Sequence, residues 1–298
     1  MGDPRFDSSV RSTTAGKYIL ESEADRDRMY ILFDLWREDF HRMFRRALEL
    51  AGLPLDPDKA NFRMLDMCCG EGLVSADILD CYPNVRIVGI DRDPEASEAG
   101  RIGYEHLRNL HIYTRDVHEP FPPEFEPGVG GTAGELFDFA LFRLALTHLT
   151  EGAEVMRNVF AALKPGGVVL LFDPTITTYE NCPHPSFHIL NEIACRTWKY
   201  FGTYDAGNVQ ESVVRAAGFE VLESSGRVYE VGGESHDGQM NLKLGIQTLI
   251  AMRKGLVERA KVISAEDFDG HIKRIETEIP TSAVGSWAFR QTIARKPR

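Results

Sequence analysis

Apolar residues between Glu21 and Leu50 recur at spacings of three and four: Phe33, Trp36 and Phe40, then Met43, Phe44, Ala47 and Leu48. That period places them on one face of a helix. Gly52 and Pro54 stop it. After them the pattern alternates. Strands are expected at Phe62–Cys68, Arg86–Ile90 and His111–Arg115, with helices at Gly72–Asp80 and at Asp93–Asn109, the latter opened by Pro94. A loop rich in Pro and Gly follows over 120–135, read as mobile. Then come a strand at Phe137–Phe142, a helix at Gly152–Leu163, a turn at Lys164–Gly167 and a strand at Val168–Phe172. This βαβα rhythm predicts an α/β protein, a parallel sheet with helices on both faces.

The second half is less regular. Helices are expected at Ser186–Tyr200, Val209–Ala217, Asn241–Ala260 and Ala265–Glu278, and strands at Phe219–Ser224 and Trp287–Ala294. The organisation that follows is a tail and helical lid over 1–55, its first fifteen or so residues disordered, and a central core over 56–175. Over 176–298 the sheet is completed, with helical cap insertions at about 176–206 and 236–280.

Composition narrows the class. The 298 residues are 43% hydrophobic and 27% charged, as in ordinary globular proteins. A net charge of −11 argues against a broad grip on nucleic acid. The local basic groups, Arg42, Arg45 and Arg46 and then Arg295, Lys296 and Arg298, read as a solvated face and a tail. No apolar run reaches the roughly 18 residues that span a bilayer, and the N-terminus lacks the apolar stretch of a signal peptide. Five cysteines without CxxC spacing fit a reducing compartment. The expectation is a cytoplasmic monomer or homodimer with no nucleic-acid or membrane partner.

The chemistry concentrates at strand ends, where parallel α/β sheets bind ligands. Residues 64–72 read Met-Leu-Asp-Met-Cys-Cys-Gly-Glu-Gly. Strand, glycine turn and helix let a ligand lie against bare backbone at a helix N-terminus. Asp91 ends the second strand, where an acid can accept two hydrogen bonds from a ribose diol. Asp116 follows the third. Phe142 and Arg143 end the fourth, with His148 close behind. The turn alone is nearly a dinucleotide fingerprint, since Gly70-x-Gly72-x-x-Ser75 departs from GxGxxG only at its last position. Asp66 argues otherwise, because it would repel a pyrophosphate and attract a cation. Structural readings compete at each position. Asp91 could cap the next helix, Asp116 could cap a turn and Arg143 could be an ion-pair partner. Adjacent Cys68 and Cys69 make a poor metal pair.

Asp66, the glycine turn, Asp91, Asp116 and the Leu-Lys-Pro-Gly-Gly turn over 163–167 together resemble the class I S-adenosylmethionine (SAM) methyltransferases over roughly residues 60–175. The resemblance implies a Rossmann-like, mostly parallel sheet of seven strands, with SAM as cofactor and S-adenosylhomocysteine as product. It implies that Asp66 and the backbone of Cys68, Gly70 and Gly72 hold the methionine part. Asp91 would take the ribose, with Arg92 beside it, and Asp116 the adenine amine, with Val117 adding backbone contact. Phe142 and Arg143 would line the site near the sulfonium, and Tyr18 and Tyr30 would reach back over the cofactor from an N-terminal lid. The family most often has glycine where Cys68 stands.

Methyl transfer needs a base only when the acceptor must lose a proton. The candidates are His148, Tyr179, His184 and His188. His184, His188 and Glu192 also fall at helical spacing for a metal, but Pro185 makes His184 a helix cap instead, and no metal is assigned. The expected function is methyl transfer to an oxygen or nitrogen, with carbon the third choice, of a small organic acceptor. The layout resembles enzymes of bacterial secondary metabolism and so implies a natural-product intermediate. The competing readings are a peptide or protein methyltransferase, a SAM-binding cyclase, an NAD-dependent oxidoreductase and a non-catalytic SAM-binding protein.

Overall fold

Helix α1, Glu23–Ala51, buries Phe33, Trp36, Phe40, Met43, Phe44, Ala47 and Leu48, the stripe that its period predicts, with Leu32 beside them. It belongs to a computed structural model that describes residues 23–120, 136–175, 181–198, 202–203, 205–280 and 282–298, and the side chains of all of these except 23–27. The expectations for the tail, for most of the Pro/Gly-rich loop, for Tyr18 and for Tyr179 lie outside the described residues.

The alternating core follows: β1 (Arg63–Met67), α2 (Leu73–Cys81), β2 (Arg86–Asp91), α3 (Pro94–Gly103), β3 (Leu110–Thr114), β4 (Phe137–Arg143), a 3-10 turn (Leu146–His148), α4 (Gly152–Ala162) and β5 (Leu163–Pro174). Then come α5 (Pro185–Trp198), α6 (Ala206–Ala216), β6 (Glu220–Gly232), α7 (His236–Arg253), α8 (Ala265–Glu278) and β7 (Val284–Arg295). One seven-stranded sheet runs β3-β2-β1-β4-β5-β7-β6. Strands β1 to β5 pair in parallel, and β7 is antiparallel to both β5 and β6. The Rossmann-like, mostly parallel sheet expected from the sequence is therefore the one observed.

Several boundaries differ. Helix α3 ends at Gly103 rather than Asn109. The expected turn at Lys164–Gly167 falls within the first part of β5, where pairing with β4 shifts register and Gly166 takes φ +85°. The sixth strand runs on to Gly232, eight residues past Ser224. Its polar stretch pairs residue by residue with β7 along an edge that is half exposed, so burial leaves no apolar signature there. Helix α7 gives way to a wider helical turn over Lys254–Arg259.

Alternation along the strands divides the core. Met64, Phe139, Leu141, Leu170 and Phe172 face α1 and α7 on one side, while Leu65, Met67, Ala140, Phe142 and Leu171 face α4 and α6 on the other. Trp36 of α1 stacks on Tyr229 of β6 at 4.7 Å and donates its Nε1–H to Asn241 Oδ1 of α7 at 3.2 Å. Arg37 and His41 both pair with the buried Asp77 of α2. These contacts seat α1 across the sheet, beside the strand ends. Among the described residues no helix is long and apolar enough to cross a membrane.

Candidate functional site

Register brings the expected groups to one edge. Asp66 is opposite Gly89, Met67 opposite both Ile90 and Phe142, Asp91 opposite Thr114, and Arg143 opposite Phe172. The carboxyl-terminal ends of β1 to β5 thus share one rim. Backbone strain marks it: Cys68 after β1 and Leu144 after β4 hold left-handed φ values of 57° and 56°. Such conformations cost non-glycine residues free energy and cluster at functional sites.

The β1 turn is tied to β2. The Cys69 N–H donates to the Ile90 carbonyl at 3.0 Å, and the Gly70 N–H to Asp91 Oδ2 at 2.8 Å. Gly70 (φ +57°) and Gly72 (φ +81°) are both left-handed, and a Cβ on Gly72 would come within 2.6 Å of the Ile112 side chain. Cys68 adopts the conformation that the glycine usual in its place would hold without strain. Asp66 is buried, and Ser75 Oγ donates to it at 2.6 Å. Burial pushes its carboxyl up to about 7, against the opposing pull of Ser75 and the Arg143 charge.

Asp91 accepts a second bond from the Asp93 N–H at 2.9 Å, and burial again raises its carboxyl. The helix cap is Asp93, which accepts from the Glu95 N–H, so Asp91 itself faces the turn. Arg92 is exposed. Asp116 Oδ1 accepts from the His118 N–H at 3.0 Å and from His118 Nδ1 at 2.7 Å. Partial burial opposes ionisation there, but the two His118 bonds prevail and hold the carboxyl below its usual range. Val117 is buried. The Phe142 side chain is fully buried in the core, so its backbone is what it offers a ligand at the strand end.

On the acceptor side, His148 closes the 3-10 turn, its ring 5.4 Å from that of Trp198. Trp198 donates to the Thr147 carbonyl at 2.7 Å. The Thr147 N–H donates to Asp173 at 3.0 Å, and Gln210 Nε2 donates to the same buried carboxylate at 3.2 Å. Burial first, then the charges of Arg28 and Arg92, hold the His148 ring down to about 3, so it is neutral at pH 7. Arg143 lies 5.7 Å over the Phe40 ring, and burial lowers its guanidinium to about 10. Cys68, Cys69, Arg143 and His148 are each partly exposed at this rim.

His184 and His188 lie elsewhere. His184 Nδ1 accepts from the Ser186 N–H at 3.1 Å at the start of α5, and Nε2 is 3.7 Å from Glu278. His188 is exposed, and Glu192 pairs with Arg196. His148 meets the other end of α5, about 20 Å of helix from His184. Among the described residues no group of three His, Cys, Asp or Glu could hold a metal ion. Tyr30 does reach the glycine turn, its hydroxyl donating to Glu71 Oε2 at 3.3 Å.

The donor set fits SAM. Asp66 suits a cationic ammonium or sulfonium and disfavours a pyrophosphate, and Asp91 and the backbone of a left-handed turn suit a ribose and an amino acid. Comparison with known proteins agrees. A family model described as a methyltransferase domain matches residues 35–224, well over half of the chain. The secondary metabolism regulator LaeA of Aspergillus flavus is 27% identical over 184 residues, 61% of this chain and 42% of that protein. Trans-aconitate 2-methyltransferase of Deinococcus radiodurans is 24% identical over 162 residues, 53% of this chain and 55% of that enzyme. The chain thus spans about half the length of the curated relatives it matches. In fold, the crystal structure of a putative methyltransferase from Bacillus halodurans matches with a TM-score of 0.50 at 19% identity, covering 85% of this chain and 98% of that one. Sheet order, strand-end acids, glycine turn and family match agree, and the chain belongs to the class I SAM-dependent methyltransferases.

Proposed function

We propose that this chain transfers the methyl group of SAM to an oxygen or nitrogen of a small organic acceptor, with carbon the third choice. The observation that carries the reading is the set of partly exposed side chains, Cys68, Cys69, Arg143 and His148, at the same strand ends as Asp66 and Asp91. Open α/β sheets bind small ligands at such strand ends.

Asp66 and the turn at Cys68–Gly72 would hold the methionine part and Asp91 the ribose hydroxyls. Asp116, braced by His118, would take the adenine amine, and Arg143 would stand on the sulfonium side. Bound there, SAM supplies an electrophilic methyl with its own leaving group. The chain's part is to fix the acceptor in line with that methyl and to keep water out. Trp198 and Asp173 hold the 3-10 turn that presents His148, whose neutral ring can accept a hydrogen bond from the acceptor.

The likeness to a regulator of secondary metabolism favours a second reading, a protein acceptor. One labelling experiment separates the two. The protein is incubated with methyl-labelled SAM and a cell extract, which is then split by ultrafiltration at a few kilodaltons. Label in the filtrate supports the small acceptor, and label retained on protein supports the second reading. SAM bound without any label transfer would point to a cyclase or a sensor. In calorimetric titration, binding of NADH and not of SAM would overturn both readings.

A further inference from the structure

Two arginines act on each other beside the end of β4. Arg143 leaves β4 just before the left-handed Leu144, and its Nη2 is fully buried with no hydrogen-bond partner. Arg28 of α1 is 6% exposed, and its charge acts on both Arg143 and His148. Arg28, Leu32, Trp36 and Phe40 follow one another at intervals of four, so the arginine extends the buried stripe of the helix by one turn.

Nearby acids answer the charge of Arg143 only in part. Asp66 attracts Arg143, but it is bonded to Ser75, and burial raises its carboxyl. Asp91 is held by the Gly70 and Asp93 N–H groups. A guanidinium with a buried, unanswered N–H is costly, and a carboxylate matches its planar fork. The acids that suit the cofactor lie on β1 and β2, whereas Arg143 lies on β4, toward the 3-10 turn and His148.

We propose that the methyl acceptor carries a carboxylate and that Arg143, with the charge of Arg28 beside it, binds that group. The proposal rests on the small-molecule reading above and names the acceptor's chemical class. It also accounts for the buried Nη2 of Arg143, which has no hydrogen-bond partner.

The test uses the full chain saturated with S-adenosylhomocysteine and titrated calorimetrically with benzoate, cinnamate and trans-aconitate, each against its neutral amide. At least one acid should bind tenfold or more tighter than its amide. R143Q should abolish that preference, and R143K should keep part of it. Equal binding of acids and amides by the wild type overturns the proposal. So does a tenfold loss of S-adenosylhomocysteine in R143Q, which would assign the guanidinium to the cofactor's own carboxylate. If R143Q does not fold, the wild-type contrast and R143K decide. Failure of the wild type to bind S-adenosylhomocysteine at all would instead sink the methyltransferase reading.

Discussion

Ser75 Oγ, on the first turn of α2, donates a 2.6 Å hydrogen bond to the buried carboxylate of Asp66 at the end of β1. Burial raises that carboxyl to about 7, and the serine restrains the rise by favouring the ionised form. Affinity for the cationic cofactor should therefore increase as pH rises through about 7. Ser75→Ala removes the restraint and should move the midpoint up by about one unit, the equivalent of a modest charged hydrogen bond. Calorimetric SAM affinities from pH 5.5 to 9, wild type against variant, check this. Superimposable curves would show that the Asp66 charge takes no part in binding.

Asp173 carries the same kind of strain. Burial raises its carboxyl from 3.8 to about 7, and the bonds from Thr147 and Gln210 offset only part of that. The folded protein thus keeps a proton that the unfolded chain releases near pH 4. This group's contribution to stability falls as pH rises from about 4 to 7 and is level above. Asp173→Asn removes the dependence, keeps an acceptor for the Thr147 N–H and offers a donor to Gln210 Oε1, which is buried without a partner. By calorimetry its Tm should match wild type at pH 5 and exceed it at pH 8 by roughly 2–4 °C for each kcal/mol gained. A lower Tm at pH 8 would mean that folding does not raise the Asp173 carboxyl.

The cofactor half of this site was legible because its parts are local. Asp66, the glycines and Asp91 each sit where a short apolar strand stops, and strand ends can be read from period alone. Ser75 was in view as the last position of the turn pattern. What stayed hidden depends on long-range contact. Trp198 meets Thr147 across 51 positions, and Asp173 meets Gln210 across 37. Arg28 could have been found as a cation on the apolar stripe of α1. His118 was harder, since only the turn geometry brings its ring back to Asp116. The full length of β6 was invisible because a half-exposed edge strand needs no apolar alternation.

Cys68 stands where the resembling family usually has glycine, and its φ of 57° shows what the glycine is for. Cys68→Gly should therefore keep SAM affinity within about threefold. A β-branched residue suffers most at positive φ, so Cys68→Val should destabilise the fold by about 1–3 kcal/mol and weaken SAM binding. Thermal melts and SAM titrations of the two variants decide. A valine variant with wild-type stability would mean that the turn relaxes to a right-handed or extended conformation.

His148 is placed to touch an acceptor, but its environment sets what it can do there. Burial and the charges of Arg28 and Arg92 hold the ring down to about 3, so it stays neutral throughout pH 5–8. A base of that strength lies far from the optimum for proton abstraction near neutrality. An acceptor that arrives already ionised, as a carboxylate does, needs no such base. The rate of label transfer should show no histidine limb between pH 5 and 8. His148→Gln keeps a hydrogen-bonding group of similar reach and should retain activity within about tenfold, against the 10²–10⁴ that loss of a general base costs. A loss beyond a hundredfold, together with an acidic limb near pH 6–7 in the wild type, would identify the ring as a working base.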